Sequence, residues 1–148
     1  SKALRKPGMY DQPIRLVMRR SLVKAAPDAT VRKVAKQMAR RNAGAALVIE
    51  RDRLVGIFTE RDVAFRVVAA GLDPDAPTLR EVMTRRPHTI GPERPFGYAL
   101  ALMHEKGFRH LPVLEKGKLV GLVSARSAMD PDLEEFRAEA HRRERYQR

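Results

Sequence analysis

Thr59 and Asp62 are the residues whose types and spacing most clearly allow chemistry. They follow an apolar run, Leu54–Phe58, that has the length and composition of a buried strand. If a helix begins at Thr59, its free backbone N–H groups and the positive end of its dipole favour a bound anion. The Thr59 hydroxyl adds a polar group, and the Asp62 carboxylate can accept two hydrogen bonds from the cis-diol of a ribose. Gly56, which has no side chain, would let a flat ring approach the strand.

The same spacing has a purely structural interpretation. Thr-x-x-Asp at a helix start is close to a capping box, in which Thr59 caps the Asp62 N–H and the carboxylate bonds back to the Thr59 backbone. Helix caps are far commoner than ligand sites. The residues alone leave both interpretations open.

An internal repeat supplies the elements that must position these residues. Residues 17–64 align with residues 82–129 at a constant offset of 65. Eleven of the 48 aligned pairs are identical, so the two segments are copies of one structural unit. The identical pairs are Val17/Val82, Met18/Met83, Arg20/Arg85, Pro27/Pro92, Met38/Met103, Val48/Val113, Glu50/Glu115, Leu54/Leu119, Val55/Val120, Gly56/Gly121 and Arg61/Arg126. In the second copy Ser124 and Ser127 replace Thr59 and Asp62, which keeps the hydroxyl and loses the carboxylate.

Each copy contains the same predicted elements. Apolar residues at i, i+3, i+4 and i+7 predict a helix with one buried face. These residues are Val31, Val34, Ala35 and Met38 in the first copy, and Phe96, Ala99, Leu100 and Met103 in the second. Two apolar runs around a polar turn then predict a hairpin of buried strands, and a second helix follows from Thr59 to Gly71. The predicted strand runs are Ala45–Ile49 with Leu54–Phe58, and His110–Leu114 with Leu119–Val123.

The predicted fold class is α/β. Each unit is helix, strand, strand, helix after a short leading strand, and the two units pack as a pseudo-two-fold module, because 48 residues bury too little apolar surface alone. The predicted segments are a basic arm (1–13), repeat 1 (14–71), a linker (72–79), repeat 2 (80–129) and a C-terminal helix (130–148).

Composition constrains location and partners. The net charge is +12, and residues 1–41 hold twelve Lys and Arg against Asp11 and Asp28, or +10 (12 − 2). This basic third is either a solvated face or a surface for an acidic partner or nucleic acid. The chain has no cysteine, which favours a reducing cytoplasm. It has no apolar run of about 20 residues, so no membrane association is expected.

Metal binding and catalysis have little support in the sequence. None of the four histidines, His88, His104, His110 and His141, lies four residues from another, and no cysteine is present to assist them. The sequence shows no Ser/His/Asp arrangement and no glycine-rich phosphate loop. We expect a protein that is not an enzyme.

Three segments carry a resemblance to a known family. "LVGIFTERD" (54–62), "LVGLVSARS" (119–127) and "RHLPVLE" (109–115) resemble tandem cystathionine β-synthase (CBS) domains, a pair called a Bateman module. The resemblance covers about residues 14–129. It implies a regulatory module for adenosyl ligands (AMP, ADP, ATP, S-adenosylmethionine or NAD) with no required cofactor and no catalysis, which dimerises into a disc and signals to a partner protein.

The resemblance also implies roles for individual residues. By position, Asp62 would hold the ribose hydroxyls and Thr59 the ribose or phosphate. His88, Thr89 and Ile90 would lie against the adenine, with Met83 and Ile57 nearby, and Arg109 and His110 would bind phosphate. The expected ligand-contacting residues are therefore Ile57, Thr59, Asp62, Met83, His88, Thr89, Ile90, Arg109 and His110.

A second, weaker site would be formed by the equivalent positions of the other copy. These are Val23, Lys24, Ala25, Ser124, Arg126 and Ser127, with Gly44 and Ala45 in place of the basic pair. Because Ser127 replaces the carboxylate, we expect one good site per chain and two per dimer. The alternative function is a protein that binds nucleic acid or an acidic partner through the helix face of Arg32, Lys36 and Arg40, with the CBS pair as a dimerisation scaffold.

Overall fold

Two copies of one α/β unit make up the computed structural model of the protein, which describes residues 8–128. The predicted C-terminal helix and most of the predicted basic arm lie outside these residues. A 3₁₀ turn at Met9–Asp11 precedes the first unit. Its elements are α1 (Ile14–Val17), β1 (Val23–Ala25), α2 (Val31–Arg40), β2 (Ala45–Glu50), β3 (Arg53–Thr59) and α3 (Glu60–Asp62), which continues as a π-helix over Val63–Val68. The second unit comprises α4 (Leu79–Val82), β4 (Thr84–Arg85), α5 (Phe96–Lys106), β5 (His110–Glu115), β6 (Lys118–Ser124) and a 3₁₀ turn at Ala125–Ala128.

The first sheet has the strand order β1-β2-β3-β4. β1 runs parallel to β2, while β2–β3 and β3–β4 are antiparallel. The second sheet is the β5–β6 hairpin, flanked by isolated bridges from Ile90 to Val113 and from Arg19 to Leu122. Adding 65 to both members of the first-sheet pair Ala25–Val48 gives the Ile90–Val113 bridge. For the pair Ile57–Thr84, adding 65 to Ile57 and subtracting 65 from Thr84 gives the Leu122–Arg19 bridge. The pairing therefore follows the repeat.

The predicted helix faces are buried. Val31, Val34 and Met38 of α2 are at most 4% exposed and pack under the first sheet. Phe96, Ala99 and Met103 do the same in the second unit. Ala35 and Leu100, which the same periodicity placed on these faces, are half-buried at their edges.

The first helix of each unit packs into the other unit. Ile14 of α1 and the following Met18 lie in the core formed by α5, β5 and β6. Leu79 and Val82 of α4 lie in the core formed by α2, β2 and β3. This exchange, which the sequence did not predict, means that each hydrophobic core contains residues from both repeats.

A third apolar cluster joins the two sheets. Its buried members are Ala45, Leu47, Ile57 and Leu122, with Leu22, Ile49, Leu54 and Leu119 packed around them. The ends of β3 and β6 that carry the Thr-x-x-Asp motif and its counterpart therefore lie beside the interface between repeats. No helix within residues 8–128 is long and apolar enough to cross a membrane.

Candidate site at the junction of the two repeats

The capping box that the Thr59–Asp62 spacing allows is present. Thr59 ends β3 in an extended conformation and its Oγ1 accepts a hydrogen bond from the Asp62 N–H at 3.2 Å. Asp62 Oδ2 in turn accepts one from the Thr59 N–H at 2.9 Å and one from the Thr59 hydroxyl at 3.2 Å. Asp62 is 8% exposed, the one buried charged residue within 8–128. One carboxylate oxygen is thus committed to the helix start.

The other carboxylate oxygen faces an arginine. Asp62 Oδ1 lies 3.4 Å from Arg66 Nε, one helical turn on. The Arg66 Nη1 donates to the carbonyl oxygens of Val82 at 3.3 Å and Met83 at 3.0 Å. Sequence reasoning missed Arg66, although the i, i+4 spacing of opposite charges on a predicted helix was a usable signal. Oδ1 takes no part in the capping box, so it is the oxygen left for a ligand.

His110 of the second repeat reaches the same junction. Its Nε2 and the Glu60 Oε1 both lie over Gly44, where an added Cβ would come within 3.0 Å and 3.2 Å of them. Burial lowers the pKa of His110, Glu60 raises it, Arg109 lowers it and Asp62 raises it, and burial is the largest effect. The imidazole therefore stands among charges of both signs. The junction combines Asp62 from repeat 1 with His110 from repeat 2.

The remaining polar residues of the predicted main site lie on the surface of the protein. His88 is exposed and stacks on Phe108, with ring centroids 5.3 Å apart and an interplanar angle of 17°. Thr89 and Arg109 are also exposed. Because Phe108 immediately precedes Arg109, the His88 ring packs just before Arg109 and the start of β5 at His110.

The apolar residues of the predicted main site are core residues. Ile57 and Ile90 are each 6% exposed, and Met83 is 5% exposed. A Cβ on Gly56 would overlap the Met83 sulfur, so the space beside Gly56 is filled by Met83. This corrects the expectation that Gly56 admits a flat ring, because the absent side chain serves packing between the repeats.

The second predicted site is less well assembled. Val23 is 3% exposed and belongs to the core of the first unit, whereas Lys24 and Arg126 are exposed. The Ser124 and Ser127 hydroxyl oxygens lie 3.5 Å apart. Lys24 and Ala25 line a cleft of about 590 Å³, and its other lining residues are Ala26, Ile49, Asp52, Lys118 and Leu119. Lys118 and Ser124 are opposite ends of β6, a separation of roughly 20 Å at 3.3 Å per residue. The part of the cleft that Lys118 lines is therefore far from the Ser124 hydroxyl.

Several arginines of the basic N-terminal third are bound internally. Arg19 donates to the carbonyls of Arg41 and Asn42, and Arg41 donates to the Leu22 carbonyl. Arg32 pairs with Asp75 at 2.6 Å. These contacts occupy part of the face that the nucleic-acid alternative requires. Within residues 8–128 no group of three or more His, Asp or Glu side chains is placed to hold a metal ion.

A family model decides the relationship that this geometry points to. The model of the CBS domain matches the chain twice, over residues 14–69 and 79–131. The chain belongs to the CBS-domain family. Its two matches coincide with the two copies of the repeat, so the described structure is a CBS pair.

Related proteins agree with this assignment. The CBS domain-containing protein CBSCBSPB1 of Arabidopsis thaliana is 42% identical over 103 residues, which are 69% of this chain and 19% of that protein. Protein MK0525 of Methanopyrus kandleri is 34% identical over 110 residues, 73% of this chain and 56% of its own. The chain thus spans between about a fifth and just over half of these relatives.

Solved CBS proteins share the fold. A protein with CBS domains from Burkholderia ambifaria is 36% identical with a TM-score of 0.72, covering 75% of this chain and 82% of its own. The CBS domain protein PAE2072 from Pyrobaculum aerophilum, solved in complex with AMP, is 28% identical with a TM-score of 0.74 and covers 86% and 98% of the two chains.

Proposed function

We propose that this CBS pair is a regulatory module that binds an adenosyl ligand, namely AMP, ADP, ATP, S-adenosylmethionine or NAD, at the junction of its repeats. The observation that carries the proposal is Asp62, whose Oδ1 takes no part in the capping box and lies at a junction that His110 of the other repeat also reaches. A structural neighbour that binds AMP supports the choice of ligand class. The module has no catalytic role of its own and passes its ligand state to a partner protein.

The proposed pose follows from the chemistry of each group. The ribose diol donates to Asp62 Oδ1, since a buried carboxylate is a strong acceptor. The phosphate lies toward His110 and Arg109, because a guanidinium can bind two phosphate oxygens at once. The adenine lies along the exposed His88–Thr89 segment. Ile57, Met83 and Ile90, which are nearly buried, support these groups from the core.

Regulation would follow from a site shared between repeats. A ligand that contacts Asp62 and His110 together binds best when the two repeats hold one relative position, and it stabilises that arrangement by its difference in affinity.

We propose that the signal is read in a homodimer by a partner protein in the cytoplasm. An exposed apolar groove of about 310 Å³ between α2 and α3, lined by Ala35, Ala39 and Val63 among others, is a suitable dimer face.

Isothermal titration with AMP, ADP, ATP, S-adenosylmethionine and NAD tests the proposal. We expect one ligand to bind near one per chain, with affinity reduced about tenfold or more in Asp62→Asn, the loss typical of a hydrogen bond to a charged group. Asn is preferred to Ala because its side-chain oxygen still accepts from the Thr59 N–H and preserves the cap. Ser127→Ala, at the equivalent position of repeat 2, is the matched control. Absence of heat with every ligand would contradict the proposal.

A further inference from the structure

Arg66 connects the Asp62 carboxylate of the proposed ligand site to the segment that passes from the first sheet to the second. Its Nε lies 3.4 Å from Asp62 Oδ1, and its Nη1 donates to the carbonyls of Val82 and Met83. Val82 ends α4, so these are carbonyls without partners inside that helix. Met83 begins the crossover segment, residues 83–90, which runs from β4 at the edge of the first sheet to Ile90 beside Val113 in the second.

We infer that Arg66 is a positioning residue that fixes Asp62 for ribose recognition and couples the occupied site to the crossover segment. This inference rests on the proposed ligand site. Asp62 Oδ2 is held by the capping box, and Arg66 holds the other oxygen, so the plane of the carboxylate is set at two points. At 3.4 Å the Arg66 contact is long, which leaves Oδ1 able to accept a ribose hydroxyl.

The sequence contains this Asp62–Arg66 pair in one repeat only. At the constant offset of 65, Ser127 corresponds to Asp62 and Pro131 corresponds to Arg66. Neither the carboxylate nor the guanidinium has a counterpart in repeat 2. A ligand at the Asp62 site therefore acts on the 83–90 crossover alone, and the response of the module to ligand is asymmetric.

The ratio of affinities for AMP and 2′-deoxy-AMP measures the positioning role directly, because a general loss of structure weakens both ligands alike. We expect wild type to prefer AMP by about tenfold, one hydrogen bond to a charged group. In Arg66→Gln this preference should fall to about twofold or less. Arg66→Lys keeps the charge but not the planar fork, so its ratio should lie between the two. Arg61→Gln is the control, since Arg61 lies over the Phe65 ring at 5.0 Å and is exposed.

The possible results separate this inference from the proposed function. Failure of wild type to bind AMP or any other adenosyl ligand would overturn both. Wild-type binding with an unchanged ratio in Arg66→Gln would overturn the role of Arg66 and leave the site standing. Thermal melting checks that each variant is folded, and if Arg66→Gln does not fold, a wild-type ratio in Arg66→Lys would overturn the positioning role.

Discussion

Gly56 and Gly121 occupy equivalent positions in β3 and β6, and each lies against a methionine that arrives from the other repeat. A Cβ on Gly56 would overlap the Met83 sulfur and approach the Thr84 carbonyl oxygen at 3.0 Å. We expect Gly56→Ala to lower the free energy of unfolding by about 1–3 kcal/mol, the usual effect of overpacking, in urea denaturation. Gly91→Ala, where an added Cβ meets nothing within 4 Å, is the control. Equal stability of the two variants would show that Met83 moves aside freely.

His110 should make stability depend on pH. Its pKa is lowered from 6.5, chiefly by burial, so the unfolded chain binds the proton more tightly than the folded one. The stabilising contribution of neutral His110 is therefore fully present above pH 6.5 and is lost as pH falls through the lowered folded pKa. Urea denaturation at a series of pH values should show this decline, and His110→Gln should reduce it. An unchanged slope in that variant would contradict the assignment, and His104→Gln, an exposed position on α5, is the control.

A bound phosphate should reverse the effect of pH at the same residue. An anion beside His110 favours the imidazolium, so binding of AMP is expected to tighten as pH falls below 6.5. Titration of AMP binding against pH, in wild type and His110→Gln, measures this linkage. Because the AMP phosphate itself gains a proton at about pH 6, the comparison of the two proteins decides, and the same dependence on pH in wild type and His110→Gln would place the phosphate away from His110.

Among the elements, α1 gives the clearest test of the exchange between repeats. Ile14 is fully buried in the core of the second unit, while Leu16 on the same helix is 68% exposed. We expect Ile14→Ala to cost about 2–5 kcal/mol, and Leu16→Ala to cost little. Hydrogen exchange should show the loss of protection in β5 and α5 before β2. Earlier loss in β2 would mean that α1 supports its own repeat.

The elements also show where sequence reasoning succeeded and where it had to fail. The spacing of Val31, Val34 and Met38 determines a buried helix face whatever it packs against, and the hairpins follow from apolar runs of strand length. The exchange of α1 and α4 is different, because Val17/Val82 and Met18/Met83 are identical pairs and suit either core equally. A sequence pattern also does not distinguish the π-helix from an α-helix. In the π-helix the Ala69 N–H donates to the Ala64 carbonyl, five residues earlier, at 2.9 Å.

At the site, local spacing predicted the local geometry and nothing more. The ligand-site and capping-box interpretations both concern Thr59 and Asp62, which are three residues apart, and the capping box is present in the structure. The meeting of His110 with Glu60 over Gly44 joins residues from different repeats, and only the packed fold brings them together. The sequence also did not predict that several arginines donate hydrogen bonds within the protein, because a count of charges does not show which of them are paired.

For the molecule as a whole, the exposed apolar side chains of the π-helix bear on assembly. Val68 is 70% exposed and Phe65 is 61% exposed, on the element that lines the proposed dimer groove. We expect the protein to be a dimer by sedimentation velocity, and Val68→Glu to shift it toward monomer, because a buried unpaired carboxylate is strongly disfavoured. Leu16→Glu, at an equally exposed position on α1, should remain dimeric. A dimer that tolerates Val68→Glu would place the interface elsewhere.

The difference between the two halves of this pseudo-two-fold molecule is itself open to experiment. Ser124 and Ser127 keep the positions of Thr59 and Asp62, with their hydroxyl oxygens 3.5 Å apart, and lack only the carboxylate. Ser127→Asp would restore it, and the reciprocal cap should add about 0.5–1 kcal/mol to the free energy of unfolding. If the missing carboxylate is what weakens the second site, the stoichiometry of binding of the first-site ligand should rise in Ser127→Asp from near one toward two per chain. Ser127→Asn adds similar volume without charge, so its stoichiometry should stay near one. A stoichiometry of one in Ser127→Asp would show that the absence of a basic pair at Gly44 and Ala45 is the stronger barrier.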